Sequence, residues 1–233
     1  MSDALPIVCI PGLACSARLY QEQIPALWTA GPVTVARPTQ HDQIGAIARS
    51  ILEAAPERFA LVGLSMGGYV SFEILRQAPK RVAKLALLDT SARADTPQQS
   101  ENRRTQIRLA ATMPAREIAD ALFPRLVHRS RHGDERLRGT FRLMAEEVGT
   151  AAYARQQAAI IGRPDSRSTL AAIRCPTLVV VGDGDELTPP PVAAEIANGI
   201  PGARLVIVAD CGHACTLERP GEVTAALLEW VRG

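Results

Sequence analysis

The segment Leu61-Val62-Gly63-Leu64-Ser65-Met66-Gly67-Gly68-Tyr69 sets one serine between two glycines in the pattern G-x-S-x-G. A serine hydroxyl becomes a nucleophile only when a base takes its proton, so the chain must also supply an imidazole and a group that orients it. The setting adds weight, because an aliphatic run precedes the motif and a helical pattern follows it. A tight strand-to-helix turn would lift the Ser65 hydroxyl out of a sheet, and Gly63 and Gly67 leave room for the chain to pass other backbone. The start of the next helix would bring free N–H groups and a partial positive charge to the same point.

Four histidines are available as the base. His41 follows the second apolar run, and His128 and His132 lie in an arginine-rich stretch; all three read as surface or loop residues. His213 differs. It stands in Asp210-Cys211-Gly212-His213-Ala214-Cys215, between the last strand-like run and the last helical pattern, so it should emerge at the same sheet edge as Ser65. The orienting carboxylate is expected in Gly182-Asp183-Gly184-Asp185-Glu186-Leu187-Thr188-Pro189-Pro190, where position alone does not choose between Asp183 and Asp185. Asp89, at the end of another apolar run, is a further candidate. An oxyanion needs two N–H donors. The backbone of Met66, directly after the serine, is one. Leu13, in the loop Pro11-Gly12-Leu13-Ala14-Cys15, is the expected other.

These groups meet only if a sheet carries them. Short aliphatic runs at Ile7–Ile10, Val33–Ala36, Phe59–Leu64, Val82–Leu88, Thr177–Val181 and Arg204–Val208 read as strands buried on both faces, since they do not alternate with polar residues. Helical spacing fills the gaps at Ala17–Leu27, Gln43–Ala55, Met66–Gln77, Pro191–Asn198 and Pro220–Val231. Strand and helix in alternation predict an α/β fold, a mostly parallel, doubly wound sheet of about six strands. The alternation stops between Ala92 and Ile173, where four helical patterns follow one another: Gln98–Ala111, Pro114–Leu126, Glu135–Val148 and Thr150–Ile161. They are expected to form a lid over the carboxyl ends of the strands. The expected division is residues 1–91 and 174–233 as core and 92–173 as the inserted helical lid.

The chain has 233 residues, 47% of them hydrophobic and 21% charged, near the averages of about 45–50% and about 25% for folded domains. Its 26 basic and 24 acidic residues give a charge of +2, which offers no footprint for nucleic acid. No apolar run reaches the roughly 18 residues of a membrane helix, and the start of the chain does not resemble a signal peptide. Five cysteines, Cys9, Cys15, Cys175, Cys211 and Cys215, show no disulfide framework, so a reducing cytoplasm is expected. Cys211, His213 and Cys215 are too compact for tetrahedral zinc ligation, so neither metal nor cofactor is expected. Buried small hydrophobes describe the cysteines better, with sensitivity to thiol reagents as a secondary expectation. Arginine far outnumbers lysine, which occurs only at Lys80 and Lys84. Most of the arginines in the insertion read as a solvated face, with Arg103, Arg104 or Arg108 as candidates to grip a substrate carboxylate.

Taken together, these motifs resemble the α/β-hydrolase superfamily along nearly the whole chain. The resemblance implies the order serine, acid, histidine, here Ser65, Asp185 and His213. That family's acid loop often reads G-x-x-D with T-P after it, which selects Asp185. Its histidine loop often reads G-H with E-x-P five residues later, matched by Gly212-His213 and Glu218-Arg219-Pro220. Two departures stand out: Pro11-Gly12 replaces the common His-Gly of the oxyanion loop, and Leu64 replaces a histidine before the nucleophile. With six residues ahead of the first strand, the family's N-terminal strand pair is expected to be missing. The family order would put the first strand between the second and third, followed by the fourth, fifth and sixth.

The resemblance implies a serine hydrolase that cleaves a small carboxylic ester through an acyl-enzyme on Ser65, with His213 as general base and acid and Asp185 orienting it. Hydrolysis of lactones, thioesters or C–C bonds, and perhydrolysis, would use the same triad. A serine at position 65 argues against dehalogenase and epoxide hydrolase activity, since those members of the family use an aspartate nucleophile. A ligand-binding protein on this scaffold without turnover is the alternative from another class. Phe123, Phe141 and Tyr153, few aromatics for the insertion, lead to the expectation of an aliphatic-walled pocket.

Overall fold

The computed structural model describes residues 4–233. Six strands, β1 (Ile7–Ile10), β2 (Val33–Val35), β3 (Phe59–Leu64), β4 (Val82–Leu88), β5 (Thr177–Gly182) and β6 (Arg204–Val208), form one sheet in the order β2-β1-β3-β4-β5-β6. Every adjacent pair is parallel. Because successive strand side chains point to opposite faces, Ile7 and Cys9, Ala60, Val62 and Leu64, and Leu178 and Val180 fill one hydrophobic layer. Val8 and Ile10, Phe59 and Leu61, and Val179 and Val181 fill the other.

Helices cover both faces. The first layer is closed by α1 (Ile24–Leu27), α9 (Cys215–Glu218) and α10 (Pro220–Arg232), which supply Leu27, Leu217 and Leu227. The second is closed by α2 (Ile44–Ala54), α3 (Met66–Gln77) and α8 (Pro190–Gly199), which supply Ile47, Val70 and Ile196. Each such fully buried aliphatic side chain contributes about 1.5–3 kcal/mol. The helix expected over Ala17–Leu27 is instead a 3₁₀ turn, Ala17–Tyr20, followed by α1. Pro25 lies in the first turn of α1. In mid-helix its ring would strike the carbonyl four residues back, so the chain restarts there.

Between β4 and β5 come α4 (Pro97–Ala110), α5 (Ala115–Leu126), α6 (Glu135–Val148) and α7 (Thr150–Ile161), packed as α4 with α7 and α5 with α6. Thr96 and Gln99 form a reciprocal capping box that starts α4, and the Asp134 carboxylate caps α6 through the N–H of Leu137. Phe123, Phe141, Met144 and Ala145 of this insertion belong to the same hydrophobic layer as the sheet face beneath them. No helix among the described residues is long and apolar enough to cross a membrane.

Candidate active site

β1 and β3 are neighbours, and the chain winds away from them in both directions, so the loops at their carboxyl ends border the crevice where open α/β sheets bind ligands. Ser65 stands at that point between β3 and α3, with φ +54° and ψ −113°. A non-glycine residue held in such a conformation costs about 1–3 kcal/mol. The turn is fastened by its own backbone: Ser65 N–H donates to Leu88 O at 2.9 Å, and the Thr90 hydroxyl donates to Ser65 O at 2.7 Å. A Cβ at Gly67 would collide with the carbonyl of Ile10, and one at Gly63 would lie 2.5 Å from Gly67 O and Ser71 Oγ. The two glycines therefore answer to close backbone crossings between β1, β3 and α3.

His213 Nε2 lies 2.9 Å from Ser65 Oγ, and His213 Nδ1 lies 2.8 Å from Asp185 Oδ2. Of the carboxylates weighed for this position, Asp185 is the one against His213. Its other oxygen accepts the N–H groups of Leu187 and Thr188 at 2.8 and 3.0 Å, while the Thr188 hydroxyl donates to Oδ2 at 2.7 Å. Burial pushes the Asp185 carboxyl up, but the His213 charge, the bond to its ring and the Thr188 donors outweigh it and hold it at about 2. Burial likewise pushes the His213 imidazole down, and Asp185, then Asp89 and Glu218, overcome it and leave the ring above its ordinary value.

The other two candidate acids serve as backbone clips. Asp89, fully buried, accepts Gly182 N–H and Cys215 N–H, each at 3.1 Å, and burial followed by the nearby Asp185 charge pushes it up to about 7. Asp183 accepts Cys211 N–H at 3.2 Å. His128 pairs with Ser130 at 2.7 Å, and neither it nor His41 or His132 hydrogen-bonds Ser65.

Leu13 occupies the turn after β1, in which Cys15 N–H bonds to Gly12 O at 3.1 Å. This loop does border the serine, since a Cβ at Gly12 would be 3.4 Å from Ser65 Cβ. The N–H of Met66 opens α3, where the helix itself supplies no acceptor. Leu13, Ser65 and His213 line one cavity of about 400 Å³. One wall is apolar, with Leu19, Leu122, Leu126 and Phe141, as an aliphatic-walled pocket requires. Other lining residues correct that expectation: Gln99, Asn102 and Arg103 of α4, with Asp95 and Arg163, make a polar stretch, and Arg103 donates to the buried Gln157 of α7 at 2.8 Å. Arg104 and Arg108 point away and pair with Glu101 at 3.2 Å on the surface.

Several contributors had little or no signal in the sequence. Gln156 of α7, fully buried, accepts Ala14 N–H at 3.0 Å and donates to Pro38 O at 2.9 Å, tying the insertion to the Leu13 loop. Glu218 accepts Gly212 N–H at 2.9 Å, Ala214 N–H at 3.4 Å and His128 N–H at 2.7 Å, so it brackets His213 on both sides. Thr188 and Glu218 fall within the T-P and E-x-P signals, although those signals said nothing of these bonds. Cys15, Cys211 and Cys215 are buried; burial pushes Cys15 up to about 12 and raises the other two as well, which leaves poor thiolates and argues against the expected sensitivity to thiol reagents.

Comparison with known proteins agrees with the fold. Over 207 residues the chain is 29% identical to a pimeloyl-[acyl-carrier protein] methyl ester esterase of Aromatoleum aromaticum, covering 84% of this chain and 83% of that protein. A thermophilic esterase from Thermogutta terrifontis superposes with a TM-score of 0.88 at 31% identity, over 99% of this chain and 90% of that one. The enol-lactonase of Burkholderia xenovorans LB400 shares the fold at 24% identity, with a TM-score of 0.89 over 100% of this chain and 93% of that one. The model of the alpha/beta hydrolase family matches residues 7–227, and with all six strands inside that match the chain belongs to this family.

Proposed function

We propose that this protein is a serine hydrolase that cleaves carboxylic esters through an acyl-enzyme on Ser65. The observation that carries the reading is the unbroken chain of hydrogen bonds from Ser65 Oγ through His213 to Asp185, at 2.9 and 2.8 Å, at the wall of a cavity large enough for a small ester. His213 Nε2 takes the proton of Ser65 as Oγ attacks the ester carbonyl, and the N–H groups of Leu13 and Met66 receive the developing oxyanion. His213 then gives that proton to the departing alkoxide, which leaves as the alcohol. Water, deprotonated by the same ring, attacks the acyl-enzyme, and the acid and free Ser65 are released. Asp185, ionised throughout, keeps Nδ1 protonated and Nε2 free to accept. The four helices α4 to α7 act as the lid that walls the cavity and selects the acyl group. The two esterases found by comparison, which act on esters by name, support this class.

Ser65→Ala is expected to lower turnover of short p-nitrophenyl esters by about 10⁵–10⁶-fold with an unchanged circular dichroism spectrum, and to abolish labelling by a fluorophosphonate. Retained turnover in that variant, or wild-type protein inert to esters, lactones and thioesters alike, would refute the reading.

A further inference from the structure

The lining of the cavity carries unbalanced charge. Among the described residues Arg93, Arg103, Arg125 and Arg163 line it against Asp95 and Glu186. Arg93 is occupied at the surface by Glu195, at 2.8 Å. Deeper in, Arg103 and Arg163 share a single carboxylate: Arg103 Nε donates to Asp95 Oδ2 at 2.7 Å and Arg163 Nη1 to Asp95 Oδ1 at 2.6 Å. Asp95 is 1% exposed and Arg163 6%, so this group of two cations and one anion is poorly screened by water.

The hydrogen bonds of the two guanidiniums leave donors over. Arg103 spends Nε on Asp95 and Nη1 on Gln157 Oε1. Arg163 spends Nε on Arg93 O and Nη1 on Asp95 and Ile160 O. Among the described residues neither Nη2 donates to a protein acceptor, and neither is among the atoms sealed from solvent. A guanidinium offers five N–H groups in a planar fork suited to a carboxylate. The Arg163 guanidinium carbon also lies over the Tyr69 ring, 4.2 Å from its centre, and Tyr69 follows Ser65 by one turn of α3 and lines the same cavity. The surplus positive charge thus borders the same cavity as the serine.

We propose that Arg103 and Arg163 form an anion subsite, so that the preferred substrate is an ester bearing a second, free carboxylate remote from the bond that Ser65 attacks. This rests on the ester-hydrolase reading and names its substrate class. The apolar lining at Leu122, Leu126 and Phe141 suits the aliphatic spacer or the alcohol part, while the unused donors of Arg103 and Arg163 receive the carboxylate. Arg104 and Arg108, one face away on the same helix, take no part.

The test compares half-esters of aliphatic dicarboxylic acids with the corresponding diesters, which match them in length but lack the charge. Binding is measured calorimetrically on Ser65→Ala protein, where no turnover intervenes. The half-ester is expected to bind about ten- to a hundredfold tighter than its diester, the range of a charge-assisted hydrogen bond to a buried guanidinium. Adding Arg103→Gln is expected to bring the two within about threefold, whereas Arg104→Gln leaves the gap as it was. Arg103→Lys keeps a cation beside Asp95 but loses the fork, and narrows the gap without closing it. Equal binding of half-ester and diester, or a gap that survives both Arg103 substitutions, overturns the subsite. Turnover of the diesters by wild-type protein is scored separately: discrimination in binding without any ester turnover would preserve the subsite and refute the ester-hydrolase reading.

Discussion

His213 is bonded to one carboxylate and feels the charge of another, and that placement governs how the site responds to pH. Asp185 touches the ring at 2.8 Å and is held at about 2, so its share of stability is present above the ordinary carboxylate value and is lost only as pH falls through about 2. His213 moves the opposite way. Its pKa is raised, so its contribution to stability is complete below the ordinary histidine value and fades as pH rises through the folded one. In the proposed mechanism His213 must be neutral to act, so kcat/KM is expected to fall as pH is lowered through a midpoint above the ordinary histidine value. Asp89 adds to that elevation through its charge, which develops around pH 7. Replacing it by Asn should move the acid limb of the kcat/KM profile to lower pH. A limb that stays in place or moves upward in Asp89→Asn protein would contradict this account.

At the scale of elements, the loop carrying His213 has no regular structure and is rigid because buried carboxylates clamp its amides. Glu218, on α9, accepts the N–H groups on either side of His213 and one from His128, just after α5. Glu218→Ala leaves buried donors unpaired, each worth about 1–3 kcal/mol, so the midpoint of urea unfolding should drop clearly. Freed of its brackets, the imidazole drifts, and displacement by an ångström costs on the order of 100-fold in rate. The expected kinetic signature is a lower kcat with a nearly unchanged KM, because the cavity walls stay intact. A rise in KM alone would show that Glu218 shapes the pocket instead of the histidine loop.

Across the whole molecule, the helical insertion shares most of its buried side chains with the sheet, beside a small cluster of its own at Ala110, Ile118 and Tyr153. Phe123 is fully buried and meets Phe141 edge to face, with centroids 5.7 Å apart, and both belong to the layer that also holds Leu88, Val180 and Leu217. Gln156 and the pairing of Glu147 with Arg18 at 2.6 Å tie the same helices to the loop after β1. Shared burial of this kind makes sheet and insertion unfold together. Phe123→Ala should cost about 3–5 kcal/mol, and in urea its far-ultraviolet circular dichroism and tryptophan fluorescence should still change in one coincident transition. Two separated transitions would instead mark the insertion as an independently folding unit.

The sequence by itself determined what short-range patterning can encode. Aliphatic runs and helical spacing gave the alternation of elements, and glycines around Ser65 gave the sharp turn, because strand burial and backbone crossings act on neighbouring residues. The pairing of Asp185 with His213 was legible only through resemblance, since three aspartates at strand ends are equivalent until the strands are packed. Tertiary structure alone decided that Asp89 clips β4 to β5 and α9, that Arg103 lines the cavity while Arg104 faces water, and that Arg163 lines the cavity and Gln156 ties the insertion to the loop after β1. Those outcomes depend on which face of a helix meets which loop across separations of up to 142 residues, as between Ala14 and Gln156, and no local pattern carries that information.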